Sequence, residues 1–386
     1  GCLGTIDALE PEVKAFVRMN VESARTAADA ATTRYKDGQP LSRVDGMPVA
    51  IKDVHETEDM PMEVGSPVFK GWQSGWDGAA VHCLRKGGAL VLGKTVTTEF
   101  AFATPGPTRN PWDVSRTPGG SSSGSAAAVG GCMVPVATGT QVRGSVLRPA
   151  AYCGTYAIKA SYGALNTLGG FPSAPSLNHL GILAGTLEDM WSTAYFISHT
   201  AGGDPGHPSL AGEPTLPSPR KPGRIIKLES AGWDVTPNNT REVFEGYIEM
   251  LASQGVAITG RADDPAVETL ERKLRELPEV TLLMLTYEGR YPLSVYADRT
   301  PELLSERVLE RVKVGRDLKP EDYARALDWC HDFRRQWEGM AHRTDAFLTL
   351  NSVDVAPAGT PVGNSIYGEA SSVLGAPALN LPLLTL

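Results

Sequence analysis

Short apolar runs alternating with helical stretches constrain this chain more than any other feature. Gly46-Met-Pro-Val-Ala-Ile-Lys52 follows a turn and reads as a buried strand, residues 78–86 read as a helix, and Ala89-Leu-Val-Leu-Gly93 reads as a second buried strand. Runs this short lack the polar alternation of a half-exposed strand. Alternating with helices, they indicate an α/β sheet. The pattern extends along the chain. Glu10 to about Lys36 predicts one helix stopped by Asp37-Gly38, Ser125–Gly130 a short Ala-rich helix, and Met133–Ala137 a further strand. Residues 201–223, crowded with Pro and Gly, read as a surface excursion. Beyond them Arg224–Leu228, Val256–Thr259 and Ala346–Leu350 read as strands, Asn239–Gln254 as a helix, and 265–345 as mostly helical. No internal repeat is apparent.

Composition narrows the function. The 386 residues are 41% hydrophobic and 21% charged, ordinary for a globular protein, and the formal net charge is -8. An acidic chain is a poor non-specific nucleic-acid binder, so no nucleic-acid partner is expected. The five cysteines (Cys2, Cys83, Cys132, Cys153 and Cys330) form no CxxC pair. They read as reduced thiols of a cytoplasmic protein rather than zinc ligands. No run approaches eighteen apolar residues, and the opening Gly1-Cys-Leu-Gly4 lacks a basic, then apolar, leader pattern. No membrane partner is expected.

Two loops carry the chemistry. Pro118-Gly-Gly-Ser-Ser-Ser-Gly-Ser125 looks by itself like a flexible linker. However, it lies between buried strands and runs straight into an Ala-rich helix. A phosphate loop is a second reading, but no GxxxxGK[ST] pattern is present. The second loop is Gly139-Thr-Gln-Val-Arg-Gly-Ser145, which leads into Val146-Leu-Arg-Pro149. Alone, Ser121 is a helix-entry serine, Ser145 a turn residue and Lys52 a lysine at a strand edge.

Together these segments resemble the amidase signature family. Gly46–Asp53 is similar to its lysine strand, Gly93-Lys-Thr95 with Glu99-Phe-Ala101 to its next element, and Pro118–Ser122 to its glycine–serine loop. The 24-residue interval from Ser121 to Ser145 also matches. The likeness is close over about 44–190 and weaker to the end of the chain. It implies an α/β fold with a central mixed, twisted β-sheet covered by helices on both sides. It also implies one domain over 1–386, with the helical stretch 265–345 as a variable substrate wall. Related chains continue past Leu381–Leu386 through another strand and helix.

By this resemblance Ser145 is the nucleophile, Ser121 a bridging serine after a cis peptide bond at Gly120, and Lys52 the terminal base. The backbone N–H groups of Val142, Arg143, Gly144 and Ser145 form the oxyanion hole. Ala101, Gln141 and Arg143 are expected to contact substrate. No metal or organic cofactor is implied. The chemistry is consistent, because a hydroxyl can both donate and accept a proton and so link a serine to a neutral lysine. Burial would lower the Lys52 pKa and supply that neutral form. The histidine alternative would use His55 or His179, but no GxSxG elbow exists for either to serve. Both read as pocket-rim or structural residues.

The nucleophile loop departs from the common Gly-Thr-Asp-Thr-Gly-Gly-Ser pattern. Gln141 replaces the acidic residue, as in a branch that also carries Arg148-Pro-Ala150, and Arg143 replaces a glycine. The Arg143 side chain either shapes the substrate pocket or points outward to a carboxylate. Asn178 stands where Asp is frequent. Leu285, Tyr287, Tyr291, Tyr296 and Trp329 suit either a moderately apolar wall or the core. The expected activity is hydrolysis of small-molecule amides, with carbamates (urethanase activity) and aryl amides as further substrates, by a monomer or homodimer. Rivals are a hydrolase of a urea-like carboxybiuret or allophanate, an amidotransferase A-type subunit, and a non-catalytic binding protein on the same scaffold.

Overall fold

The computed structural model describes residues 1–102, 104–359 and 361–385; Leu386, the last residue of the terminal run named above, lies outside them. The strands are β1 (Phe16–Met19), β2 (Pro48–Lys52), β3 (Leu90–Thr95), β4 (Val136–Gln141), β5 (Tyr156–Lys159), β6 (His179–Ala184), β7 (Arg224–Lys227), β8 (Ala257–Thr259), β9 (Ala346–Leu348) and β10 (Ala378–Asn380). Seven form one sheet in the order β1-β3-β2-β4-β6-β5-β10. Its centre is parallel, β2 pairing with both β3 and β4, while the β1–β3, β4–β6, β5–β6 and β5–β10 pairs are antiparallel. The sheet is therefore mixed, as expected. A separate three-stranded parallel sheet runs β8-β7-β9.

Side chains alternate across the main sheet with period two. Val49, Ile51, Val91, Val136, Ile158 and Ile182 pack on one face with the helices Ala79–Lys86 and Leu187–Ala201. Ala50, Leu92, Ala137, Ala157 and Leu183 pack on the other with Ser123–Gly130 and Leu147–Cys153. The second face is built of small residues, and the helix Ser123–Gly130 buries Ala126, Ala127 and Ala128 against it. At Gly124 an added Cβ would stand 2.1 Å from the Ala15 carbonyl oxygen and 2.4 Å from the Val96 nitrogen, so only glycine lets the helix come this close. Lys52 shares the side of β2 that Ala50 occupies, which aims it at this helix.

Two sequence expectations are corrected. The helix expected from Glu10 to Lys36 is two helices, Cys2–Val13 and Val21–Lys36, with β1 between them. The Glu10 carboxylate accepts the N–H groups of Ala15 (3.0 Å) and Phe16 (2.9 Å), and Lys14 is left-handed, which turns the chain onto the edge of β3. The strand expected at Met133–Ala137 begins at Val136 and continues to Gln141. Residues 139–141, read as loop, are therefore strand, held by antiparallel pairing to β6. The expected helices at 78–86 and 239–254 form, at Ala79–Lys86 and Asn238–Ser253, and four α-helices fill 265–341.

Candidate active site

Lys52 ends β2 with no exposed surface. Its Nζ lies 2.8 Å from Ser121 Oγ, 2.8 Å from Thr140 Oγ1 and 3.5 Å from the Thr140 carbonyl. No carboxylate acts on it, and burial holds its pKa well below the usual lysine value. Thr140, on the neighbouring strand β4, is a partner that the sequence reading did not single out. Its only signal was a threonine at alternating register within a motif otherwise assigned to a loop.

The serine-rich loop is ordered. The Gly120–Ser121 peptide bond is cis. Arg148 Nη2 donates to the Gly120 carbonyl. The other serines brace the helix that follows: Ser123 Oγ donates to the Val96 carbonyl (3.2 Å), and Ser125 Oγ to the Thr138 carbonyl (2.8 Å) while also lying 2.7 Å from Thr95 Oγ1. Ser121 alone turns to Lys52. A flexible linker would make none of these contacts.

Ser145 follows β4 and is half-buried. Its carbonyl accepts the Ser122 N–H at 3.2 Å, which ties the two loops together. Among the described residues no hydrogen bond joins Ser145 Oγ to Ser121 Oγ. The backbone N–H groups of Val142, Arg143, Gly144 and Ser145 likewise have no protein acceptor among the described residues. Four backbone donors without a protein acceptor therefore lie in the same short segment as the Ser145 hydroxyl.

Gln141 braces that segment. Its Oε1 accepts the N–H groups of Val146 (3.0 Å) and Leu147 (3.1 Å), and its Nε2 donates to the Gly368 carbonyl (3.3 Å) and Ser372 Oγ (3.2 Å). With no exposed surface and every amide hydrogen bond committed inside the protein, Gln141 braces the loop. It has nothing left for the substrate contact expected of it. Ala101 is half-buried and left-handed (φ 62°), after Phe100 in a similar conformation (φ 50°).

The Arg143 side chain takes the carboxylate partner considered above. Its Nη2 lies 2.5 Å from Glu369 Oε1. Glu369 is fully buried and also accepts Ser365 Oγ (2.8 Å) and Thr281 Oγ1 (2.9 Å). Sequence offered no signal for Glu369, which lies 226 positions downstream.

His55 and His179 are both buried, so neither is a rim residue. Burial and the neighbouring Lys52 and Lys94 push His55 down to about 3. His179 is also held well below its usual value, chiefly by burial, with Nδ1 2.7 Å from the Leu177 carbonyl. Neither makes a hydrogen bond to Ser121 or Ser145. The aromatics of 265–345 mostly serve packing. Tyr296 stacks on Phe100, Tyr287 on Tyr323, and Trp329 packs against Phe333, whereas Tyr291 is exposed. Among the described residues no cluster of His, Cys, Asp and Glu suits a metal, the five cysteines are unpaired, and no helix is long and apolar enough to cross a membrane.

The Amidase family model matches residues 1–360, and the chain belongs to that family. The A-type subunit of glutamyl-tRNA(Gln) amidotransferase from Acidothermus cellulolyticus is 36% identical over 272 residues, covering 66% of this chain and 53% of the relative. The chain spans about half the length of the curated relatives it matches. A solved structure described as "An unexpected vestigial protein complex reveals the evolutionary origins of an s-triazine catabolic enzyme" superposes with a TM-score of 0.84 at 26% identity, covering 98% of this chain and 85% of that one. An amidase crystal structure superposes at 0.82 with 25% identity, covering 98% and 86%. The mixed sheet flanked by helices is the amidase signature fold.

Proposed function

We propose that the chain is a serine hydrolase of C–N bonds, with Lys52, Ser121 and Ser145 as its proton relay. The observation that carries this reading is the 2.8 Å contact between Ser121 Oγ and a fully buried lysine that has no carboxylate partner. A lysine kept neutral by burial can accept a proton from Ser121 as Ser121 takes one from Ser145. Ser145 Oγ then bonds to the substrate carbonyl carbon, and the oxyanion is met by the N–H groups of residues 142–145. Collapse breaks the C–N bond, and the relay returns the proton to the departing amine. Water adds to the acyl-enzyme by the reverse route, yielding the acid and free Ser145. Proton-transfer contacts are commonly long in a substrate-free site and tighten when substrate binds. Small amides are the proposed substrates, with carbamates and aryl amides as further ones, and the helices across 265–345 as the wall that selects among them.

A fluorophosphonate probe followed by peptide mass spectrometry tests the nucleophile. An adduct on Ser145 that is lost in Lys52→Met is expected; a protein that stays unlabelled is not a serine hydrolase. A panel of amides, anilides, carbamates and ureas then ranks the bonds cleaved, with the urea arm covering the urea-like substrates.

The 36% identity to an amidotransferase component favours a second reading, in which the ammonia released passes to a partner's substrate. Glutaminase activity that appears only with added partner proteins would favour it. Activity of the isolated chain on simple amides would count against it.

A further inference from the structure

Lys159 ends β5 and, like Lys52, has no exposed surface. The proposed relay does not use it. Its Nζ donates to the carbonyls of Ser371 (3.0 Å), Ala160 (3.2 Å) and Ala376. No carboxylate acts on it, and burial lowers its pKa. The likeness to Lys52 ends there. The hydroxyls beside Lys52 can give up a proton, whereas a carbonyl only accepts, so none of the groups that Lys159 bonds to can pass it one. Lys159 is placed as an anchor rather than a base.

Its anchorage is the end of one short helix. Ser371 lies within the helix Glu369–Leu374, and Ala376 follows it. The same end is tied down twice more: the Tyr162 N–H donates to the Gly375 carbonyl (2.9 Å), and Arg334 Nε to the Val373 carbonyl (2.8 Å). Basic side chains at the C-terminal carbonyls of a helix are favourably placed. The start of the helix leans on the nucleophile loop. Gln141 Nε2 donates to the Gly368 carbonyl and Ser372 Oγ, and Arg143 pairs with Glu369. At Gly368 an added Cβ would stand 2.7 Å from Gly144 Cα and 2.8 Å from the Arg143 carbonyl oxygen. Gly144 directly precedes Ser145, and Gln141 Oε1 holds the N–H groups of Val146 and Leu147 directly after it. The helix therefore joins Lys159 to both flanks of Ser145.

We propose that Lys159 is a positioning residue for the hydrolysis: it fixes the helix Glu369–Leu374 to β5, and the helix in turn fixes the backbone on either side of Ser145. A methionine would fill much the same space without the cost of burying an amine. It would also strip the Ser371 and Ala376 carbonyls of the donor they have now. A shift of about 1 Å at a reacting group can cost roughly 100-fold in rate, even when the substitution lies far from it. The kinetic part of this assignment rests on the hydrolase reading.

The test compares the wild type with Lys159→Met and Lys159→Arg. On the best amide, Lys159→Met should lose about 10–100-fold in kcat with little change in KM. Lys159→Arg, which keeps the charge and the N–H donors, should recover part of that loss. In a Gln141→Leu background Lys159→Met should cost less, because one link it acts through is already cut. Hydrogen exchange read by mass spectrometry needs no turnover. In Lys159→Met the amides of Val146 and Leu147 should exchange faster, while those of the helix Ser123–Gly130 keep the wild-type rate. An unchanged kcat, an equal loss in the Gln141→Leu background, or unchanged exchange at Val146 and Leu147 overturns the positioning role. So does a failure of both Lys159→Met and Lys159→Gln to fold, which would make the lysine a folding element alone. If the wild type hydrolyses no amide but exchange at Val146 and Leu147 responds to Lys159→Met, the hydrolase reading fails and the anchorage stands.

Discussion

Strands β2 and β3 lie side by side, and each hides a lysine completely, yet the two lysines are held in opposite ways. Lys94 on β3 sits 2.9 Å from the Asp53 carboxylate and donates to the carbonyls of His55 (2.9 Å) and Pro61 (3.0 Å). Lys52 on β2 has hydroxyl neighbours and a distant carbonyl. Burial lowers both pKa values, but Asp53 offsets part of the effect at Lys94 and nothing offsets it at Lys52. Burial alone therefore does not make a base. A paired buried lysine is a cation that ties loops together; an unpaired one among hydroxyls is free to be neutral and to move a proton.

Substitutions at both sites would break or sharpen that contrast. The largest effect is expected at the relay: Ser145→Ala or Lys52→Met should lower kcat/KM on the best amide by roughly 10⁴-fold or more with little change in urea denaturation midpoint. Lys94→Met should do the reverse, losing about 3–5 kcal/mol of stability because the buried Asp53 carboxylate loses its cation and keeps only the Glu63 N–H, which a denaturation series would read. If Lys52→Met destabilised as much as Lys94→Met, the distinction would collapse. Ser121→Ala should cost about 10²–10⁴-fold in kcat/KM, since the proton path loses its middle member. Gln141→Leu should be milder, about 1–3 kcal/mol in stability, because the N–H groups of Val146 and Leu147 lose their acceptor.

The pH dependence separates the two lysines as well. A base works when unprotonated, so activity should climb with pH as Lys52 loses its proton. Because burial lowers that pKa, the climb should be complete well below 10.5, the ordinary lysine value. A rate still rising near 10.5 would mean Lys52 is not desolvated in solution.

Much of this architecture was legible in the residues themselves. The runs before Lys52 and Gly93 and the Ala-rich helix after Ser125 carry their patterns locally. The turn into β1 did not, because it depends on the Glu10 side chain capturing two N–H groups across the bend. Strands β5 and β6 and the helix Leu187–Ala201 carried no reading from sequence. They are short or mixed in composition and owe their form to pairing and packing against β4 and its neighbours.

The sequence by itself determined the class of sheet, because its strand and helix patterns are local, and the likeness of its lysine strand and two Gly–Ser motifs to those of a family pointed to the three residues of the proposed relay. Only the tertiary structure decided what surrounds them. It brought Thr140 onto Lys52, committed Gln141 to the loop and placed Glu369 under Arg143. These partners lie up to hundreds of positions apart and meet only when the helices close over the sheet. The charge balance of the site is therefore a property of the packed molecule, which no local spacing encodes.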